Sequence, residues 1–449
     1  MWKHRHIIRS FISDSDRREK QLQMMKNTLK NENRADKRGI RGIGNVITAA
    51  VFAVVLCAFL VMSLMADDRE FSENENRYLA EMPEASIASI ADGSFGSGFE
   101  LYAQDQLAGR DALIMLRTGG ERALGRKDNG SVYFGKDGYL FAIEEINSAQ
   151  LEKNIGYTEK FCAAAEERGI NTKVMVVPTA TEILTELLPE NAPVPDETEA
   201  TAKIKERLGE RFIDTCDDLR AHSGEYIYYR TDHHWTTLGA YYAYRQYERE
   251  TGIGETSHAD TAGSAAFETP AAAGYTETAV SDIFFGTNYS KAPGIGIKPD
   301  TITRIDKAGS AANGEHGSEN GASDSVKMSI LNAHLECEKI FDGVYDESYL
   351  NKKDKYSYFL SGNNPVTVIE IQRDAQNAEK RNLLVIKDSY AHSFIPFLTT
   401  DFDRIAAVDM RYFRSGPGKL IEEYEITDVL VLYNILNYAS DSNLVYIAH

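Results

Sequence analysis

An aspartate and two histidines occupy three consecutive positions, Asp232, His233 and His234, and Trp235 follows them. Two imidazoles and a carboxylate placed so closely are costly to bury without partners. One histidine could serve as a general base, with Asp232 fixing its tautomer. Two other readings stay open: an N-capping aspartate beside surface histidines, and a metal centre built from Asp232, His233 and His234. Neighbouring histidines reach one ion with difficulty, and no H-E-x-x-H pattern or cysteine partner accompanies them, so no metal is expected. A second candidate lies at Lys387-Asp388-Ser389-Tyr390. There Ser389 would fall at a tight strand-to-helix turn, where unpaired backbone N–H groups can stabilise an oxyanion beside an exposed nucleophile. Capping by Asp388 or Ser389 is the ordinary alternative. Joined, the two stretches suggest a Ser-His-Asp constellation, with Ser389 as nucleophile, one of the two histidines as base and Asp232 as its orienting group. Tyr390, Arg411 and Asn434 are candidate oxyanion or substrate donors; a salt bridge or a turn cap would equally explain the last two. His392 should lie about one turn into the helix, on its surface. Trp235 and Tyr241 offer rings that could stack on a substrate, although core packing is the commoner fate of such rings.

These residues must be held by regular elements. Five short apolar runs read as buried strands: 173–177, 226–229, 383–386, 405–408 and 429–433. Helical patterns cover 150–168 and 237–250, with Thr236 or Thr237 as an N-cap for the second. Alternating strands and helices imply an α/β fold with a mostly parallel sheet covered on both faces. In such sheets functional groups gather beyond the carboxyl ends of the strands, and both candidate stretches follow a proposed strand. The stretch 308–325 has almost no apolar side chains and should form a flexible insertion, and 254–274 should be weakly structured. Residues 281–302 between them are rich in aromatic side chains that need burial.

Val46–Met65 is a run of twenty residues without charge or proline, enough to cross the ~30 Å apolar core of a bilayer as a helix. Residues 1–41 carry twelve Lys or Arg against five acidic residues, whereas the whole chain stands at −19. The positive-inside rule therefore expects a basic cytoplasmic tail (1–41), a single transmembrane helix (42–66), a polar stalk (67–83) and a domain outside the cell (84–449). A cleaved signal peptide fits less well, because the apolar run is long and no A-x-A site follows. The acidity of the outer part, −26, disfavours a nucleic-acid partner. Of the four cysteines, Cys57 lies within the apolar run. Cys162, Cys216 and Cys337 are far apart, which allows at most one disulfide.

The stretch TDHHWTTLGAY (231–241) resembles the signature of the DHHW protein family, which is related to the AlgX/AlgJ-like alginate O-acetyltransferases of the SGNH hydrolase superfamily. FSENENRYLAEMP (71–83), YAQDQLAGRDALI (102–114), GKDGYLF (135–141), FFGTNYSKA (284–292) and the Lys387–Phe394 block extend the resemblance over nearly everything beyond residue 70. It implies an SGNH-hydrolase-like, doubly wound parallel sheet with insertions, in circularly permuted order because the Asp-x-His pair precedes the serine. It also implies that Asp232, His234 and Ser389 form the catalytic set, with Arg411 and Asn434 near the oxyanion. KDS replaces the usual GDS around the nucleophile. The expected activity is O-acyl transfer to, or hydrolysis from, cell-envelope polysaccharide, without a cofactor; a non-catalytic polysaccharide-binding or assembly protein is the alternative. Transfer outside the cell would require a membrane-bound O-acyltransferase partner to export the acyl group.

Overall fold

The computed structural model describes residues 3–253, 267–307, 325–372 and 380–448. The chain divides into two compact units, residues 1–70 with 78–110, and residues 71–77 with 111–449. The division differs from the sequence-based boundary at 84, since 84–110 group with the N-terminal helix and the stalk is shared. All but the last residue of the expected insertion at 308–325, and most of 254–274, lie outside the described residues.

In the first unit one helix, α1, runs unbroken from Lys3 to Met65, so the basic tail continues the apolar run as helix. Its stretch Asn45–Met65 is long and apolar enough to cross a membrane. Two short helices follow, α2 (Ile87–Ala91) and α3 (Ser94–Asp105).

The second unit is built on a seven-stranded sheet. Its strands are β1 (Asn171–Val177), β2 (Ser325–Leu331), β3 (Cys337–Asp342), β4 (Val366–Gln372), β5 (Asn382–Lys387), β6 (Arg404–Val408) and β7 (Asp428–Asn434), in the order β1-β7-β5-β6-β4-β2-β3. The first four in that order are parallel; β4, β2 and β3 extend the sheet antiparallel. The sheet is therefore mixed, with the parallel half matching four of the five expected runs.

Side chains alternate between two cores, as a strand buried on both faces requires. Leu383 and Val385 of β5 point into one with Leu430 and Leu432 of β7; Leu384 and Ile386 point into the other with Val429 and Val431. Helix α4 (Ser148–Glu166) covers the second face through Leu151, Ile155 and Phe161. Helix α5 (Thr237–Thr251) covers the first with Tyr241, Tyr244 and Tyr247. Parallel register brings Lys387 opposite Leu432, and Val177 opposite Asn434, so the carboxyl ends of β1, β5 and β7 share one edge.

The run 226–229 is not a sheet strand. It makes one isolated bridge, Tyr228 with Trp235, and closes a tight loop through Thr236 N to Ile227 O (2.9 Å) and Tyr229 N to His234 O (3.2 Å). Side-chain bonds hold it instead of a ladder: Tyr226 Oη donates to Asp300 at 2.5 Å, and Tyr228 Oη to the Pro178 carbonyl at 2.8 Å. β-Branched and aromatic runs fit a pleated surface but do not require one.

Candidate active site

The loop after Tyr229 is pinned from below by the buried carboxylate of Asp300. It accepts from the backbone N–H groups of Arg230 (2.9 Å) and Thr231 (2.8 Å), and from the Thr231 hydroxyl (2.5 Å). Thr236, the N-cap of α5, accepts from Gly239 N and fixes the other end. Between these anchors stand Asp232 and His234, both buried.

The serine turn follows β5. Asp388 takes the capping role: its Oδ1 accepts from Tyr390 N at 2.8 Å. Ser389 is thereby left to bond elsewhere, and it opens the 3-10 turn, a position where a backbone N–H has no partner within the turn. Trp235 ties loop to turn, its indole N–H donating to the Tyr390 carbonyl at 2.9 Å, and it is completely buried. Trp235 and Tyr241 thus belong to the core and face no ligand.

The result is a continuous hydrogen-bonded chain. Ser389 Oγ lies 2.7 Å from His234 Nε2, and His234 Nδ1 lies 2.5 Å from Asp232 Oδ1. Because a carboxylate only accepts, Nδ1 carries the proton and Nε2 offers its lone pair to the serine hydroxyl. Asp232 Oδ1 also accepts from His234 N (3.0 Å), and Oδ2 accepts from Thr287 N (2.7 Å) and Thr287 Oγ1 (3.1 Å). Burial raises the Asp232 pKa, but the imidazoles of His233 and His234 and these bonds outweigh it and hold the carboxyl well below its ordinary value. A carboxyl depressed on folding contributes stability above its unfolded pKa, and that contribution is lost as pH falls through the folded one. The stability gap between wild type and Asp232→Ala is therefore expected to be flat above about pH 5 and to narrow below about pH 4, as read by urea denaturation across pH.

Several supporting residues have no signature in the sequence by themselves. Tyr356 stacks on the His234 imidazole (centroids 3.9 Å apart, planes 15° apart), and its hydroxyl donates to the Ser389 carbonyl at 3.1 Å. Thr287 and Gly286 come from the FFGTNYSKA stretch. A Cβ on Gly286 would stand 2.2 Å from Asp232 Oδ2, so only glycine allows the carboxylate its place. Gly286→Ala is expected to displace Asp232 and lower kcat/KM by about 10²-fold with the fold retained, checked by ester kinetics beside circular dichroism.

Other expected donors are committed elsewhere. Arg411 forms a two-pronged pair with Asp409, through Nε to Oδ1 at 2.8 Å and Nη2 to Oδ2 at 2.5 Å, and also bonds Asn363. Tyr390 donates its N–H to Asp388 and its hydroxyl to the His233 carbonyl. Asn434 caps helix α6 (Ile435–Ser440), and its Nδ2 donates to Asp388 Oδ2 at 2.9 Å. One Nδ2 hydrogen remains, and Asn434 lines a cavity of about 320 Å3 together with Phe141, Thr179, His233, Lys291 and Tyr390. His392, expected on a helix surface, is buried; its Nε2 accepts from Lys387 Nζ at 2.8 Å. Burial pushes Lys387 down to about 8, against the pull of Asp409, and burial with Lys387 holds His392 well below its usual value.

His233 bonds Thr287 Oγ1 through Nδ1 at 2.7 Å. Burial and His234 push its pKa down to about 3, with Asp232 acting in the opposite sense. Ligating atoms of Asp232, His233 and His234 lie within 4.8 Å of one another. Both nitrogens of His234 and both oxygens of Asp232 are already hydrogen-bonded, so a metal would have to break the serine–histidine–aspartate chain to bind.

Residues 132–308 match the family model described as the SGNH hydrolase-like domain of the acetyltransferase AlgX. Over that region the chain is similar to an SGNH hydrolase-like domain. The match includes Asp232, His234 and Thr287; Ser389 lies beyond it. Among solved structures, the chain is similar to a DHHW family protein from Eubacterium siraeum DSM 15702. The identity is 23% and the TM-score 0.52, over 70% of this chain and 93% of that one. It is also similar to Bacillus cereus PatB1, solved with a sulfonyl adduct, at 17% identity and a TM-score of 0.52 over 71% of this chain and 98% of that one. At these identities the likeness is one of fold. No curated protein matched the sequence.

Proposed function

We propose that this SGNH hydrolase-like domain is a serine O-acyltransferase that modifies cell-envelope or secreted polysaccharide outside the cell, held to the membrane by Asn45–Met65 with the N-terminus in the cytoplasm. The observation that carries the reading is the bonded chain Ser389–His234–Asp232, whose Asp232 lines the same cavity as His233, Tyr390 and Asn434. The match to an acetyltransferase domain supports acetyl as the group transferred.

In the first half-reaction Ser389 Oγ attacks the acyl carbonyl as its proton passes to His234 Nε2. The Ser389 backbone N–H and the remaining Asn434 amide hydrogen are the donors offered to the oxyanion. Collapse of the tetrahedral species breaks the bond to the leaving group, which takes the proton from His234, and an acyl-serine remains. A sugar hydroxyl then gives its proton to His234 and attacks the acyl-serine; the second collapse restores Ser389 and releases the sugar ester. Asp232 stabilises the imidazolium in both halves. His233 is kept neutral and offers Nε2 to a substrate hydroxyl at the cavity wall. Since acetyl-CoA is confined to the cytoplasm, a multipass membrane O-acyltransferase would supply the acyl group.

The test is an acceptor assay on the full chain with an acetyl ester donor. Acetylated oligosaccharide should appear with wild type and not with Ser389→Ala. Acetate release that ignores every added oligosaccharide would favour an acetylesterase of the same fold.

A further inference from the structure

Helix α2 is capped at its N-terminus yet buries nothing. Ser86 Oγ accepts from Ser89 N and Ser89 Oγ from Ser86 N, both at 3.0 Å, while none of Ile87–Ala91 is buried. Ile87 is 90% exposed and Ile90 63%. Helix α3 adds a ladder of rings, Phe95, Phe99 and Tyr102, with neighbouring centroids 6.2 Å apart, and Phe99 is exposed. From 85 to 99 the only charge is Asp92. A five-residue helix has little stability of its own, and apolar side chains left exposed along two helices packed together mark something that covers them.

What covers it follows from where α3 is tied. Ala108 N donates to Ser63 Oγ at 3.0 Å, and Ser63 lies inside the apolar stretch of α1. Gln106 bonds both backbone groups of Arg69, at 2.9 and 3.0 Å, and the Tyr102 hydroxyl donates to Asp68 at 2.9 Å. These bonds hold the C-terminal end of α3 beside the last turn of the span. A helix of that length extends roughly 18 Å, and α2 packs against it, with Pro83 against Gly98.

We propose that α2 and α3 form a collar that dips Ile87, Ile90 and Phe99 into the headgroup–acyl boundary of the bilayer crossed by α1. This rests on the reading of Asn45–Met65 as a membrane span. The segment 67–105 carries ten acidic residues against Arg69 and Arg77. Attraction to anionic lipid is therefore unavailable, and the insertion is apolar in origin.

The test places single added tryptophans in the full chain, in nanodiscs of phosphatidylcholine with brominated acyl chains. Ile87→Trp reports the collar, Val54→Trp the span, and Gln104→Trp the far side of α3 from Phe99. After subtraction of the parent signal, Ile87→Trp and Val54→Trp should be quenched at least about two-fold more than Gln104→Trp, with or without phosphatidylglycerol. Quenching at Val54 but no more at Ile87 than at Gln104 overturns the collar and leaves the anchor standing. Absence of quenching at Val54 overturns the anchor and the collar with it. Quenching at Ile87 that needs phosphatidylglycerol overturns the apolar origin.

Discussion

Ser389→Ala is expected to lower kcat on a chromogenic acetyl ester by about 10⁴-fold or more, with the far-ultraviolet spectrum unchanged. The side chain supplies the attacking oxygen, and no neighbouring group can replace it: Asp388 is fully buried and bonded to Tyr390, Asn434 and Asn437, and Ser393 is buried, with its hydroxyl against Tyr356. The stability change should stay near 1 kcal/mol, the worth of one hydrogen bond, because alanine fills nearly the same space. Activity that persists at the wild-type level would remove Ser389 from the mechanism.

Asp232→Asn is expected to cost on the order of 10³- to 10⁴-fold in kcat. The four bonds to this side chain all come from donors: His234 N, His234 Nδ1, Thr287 N and Thr287 Oγ1. An asparagine must turn its NH2 toward one pair of them. Turned toward Thr287, it opposes the Thr287 backbone N–H; turned toward His234, it opposes the His234 backbone N–H and favours the tautomer with the proton on Nε2. That tautomer cannot accept the proton of Ser389. The matching measurement is steady-state ester kinetics, with thermal melting to show that the loop still folds.

Much of the parallel half of the sheet is legible in the residues themselves. β5, β6 and β7 are buried on both faces, so they read as unbroken apolar runs. Val366–Gln372 escapes a search for such runs because Thr367 and Glu370 interrupt it, and the mostly exposed Cys337–Asp342 has no core pattern to show. Tyr226–Tyr229 misleads in the other direction, since its rings are buried in a loop held by Asp300 and the Pro178 carbonyl. At the site, Asp232, His234 and Ser389 stand out because their types and their places beside helix starts can be read locally. Tyr356, Thr287 and Gly286 cannot be found that way: their importance comes from distant segments folding against Asp232 and His234. Arg411 and Asn434 are reachable by strand order, but strand order does not reveal that Asp409 takes up the Arg411 guanidinium or that Asp388 takes one hydrogen of the Asn434 amide.

The central claim is that Ser389 is a nucleophile activated by His234, and covalent trapping tests it most directly. Full-length protein treated with a sulfonyl fluoride or an activated acetyl ester should gain one group per chain by intact mass, mapped by peptide sequencing to Ser389. Ser389→Ala should gain none, and His234→Ala should react far more slowly. A modification that maps to another residue, or that forms equally well in Ser389→Ala, would contradict the account.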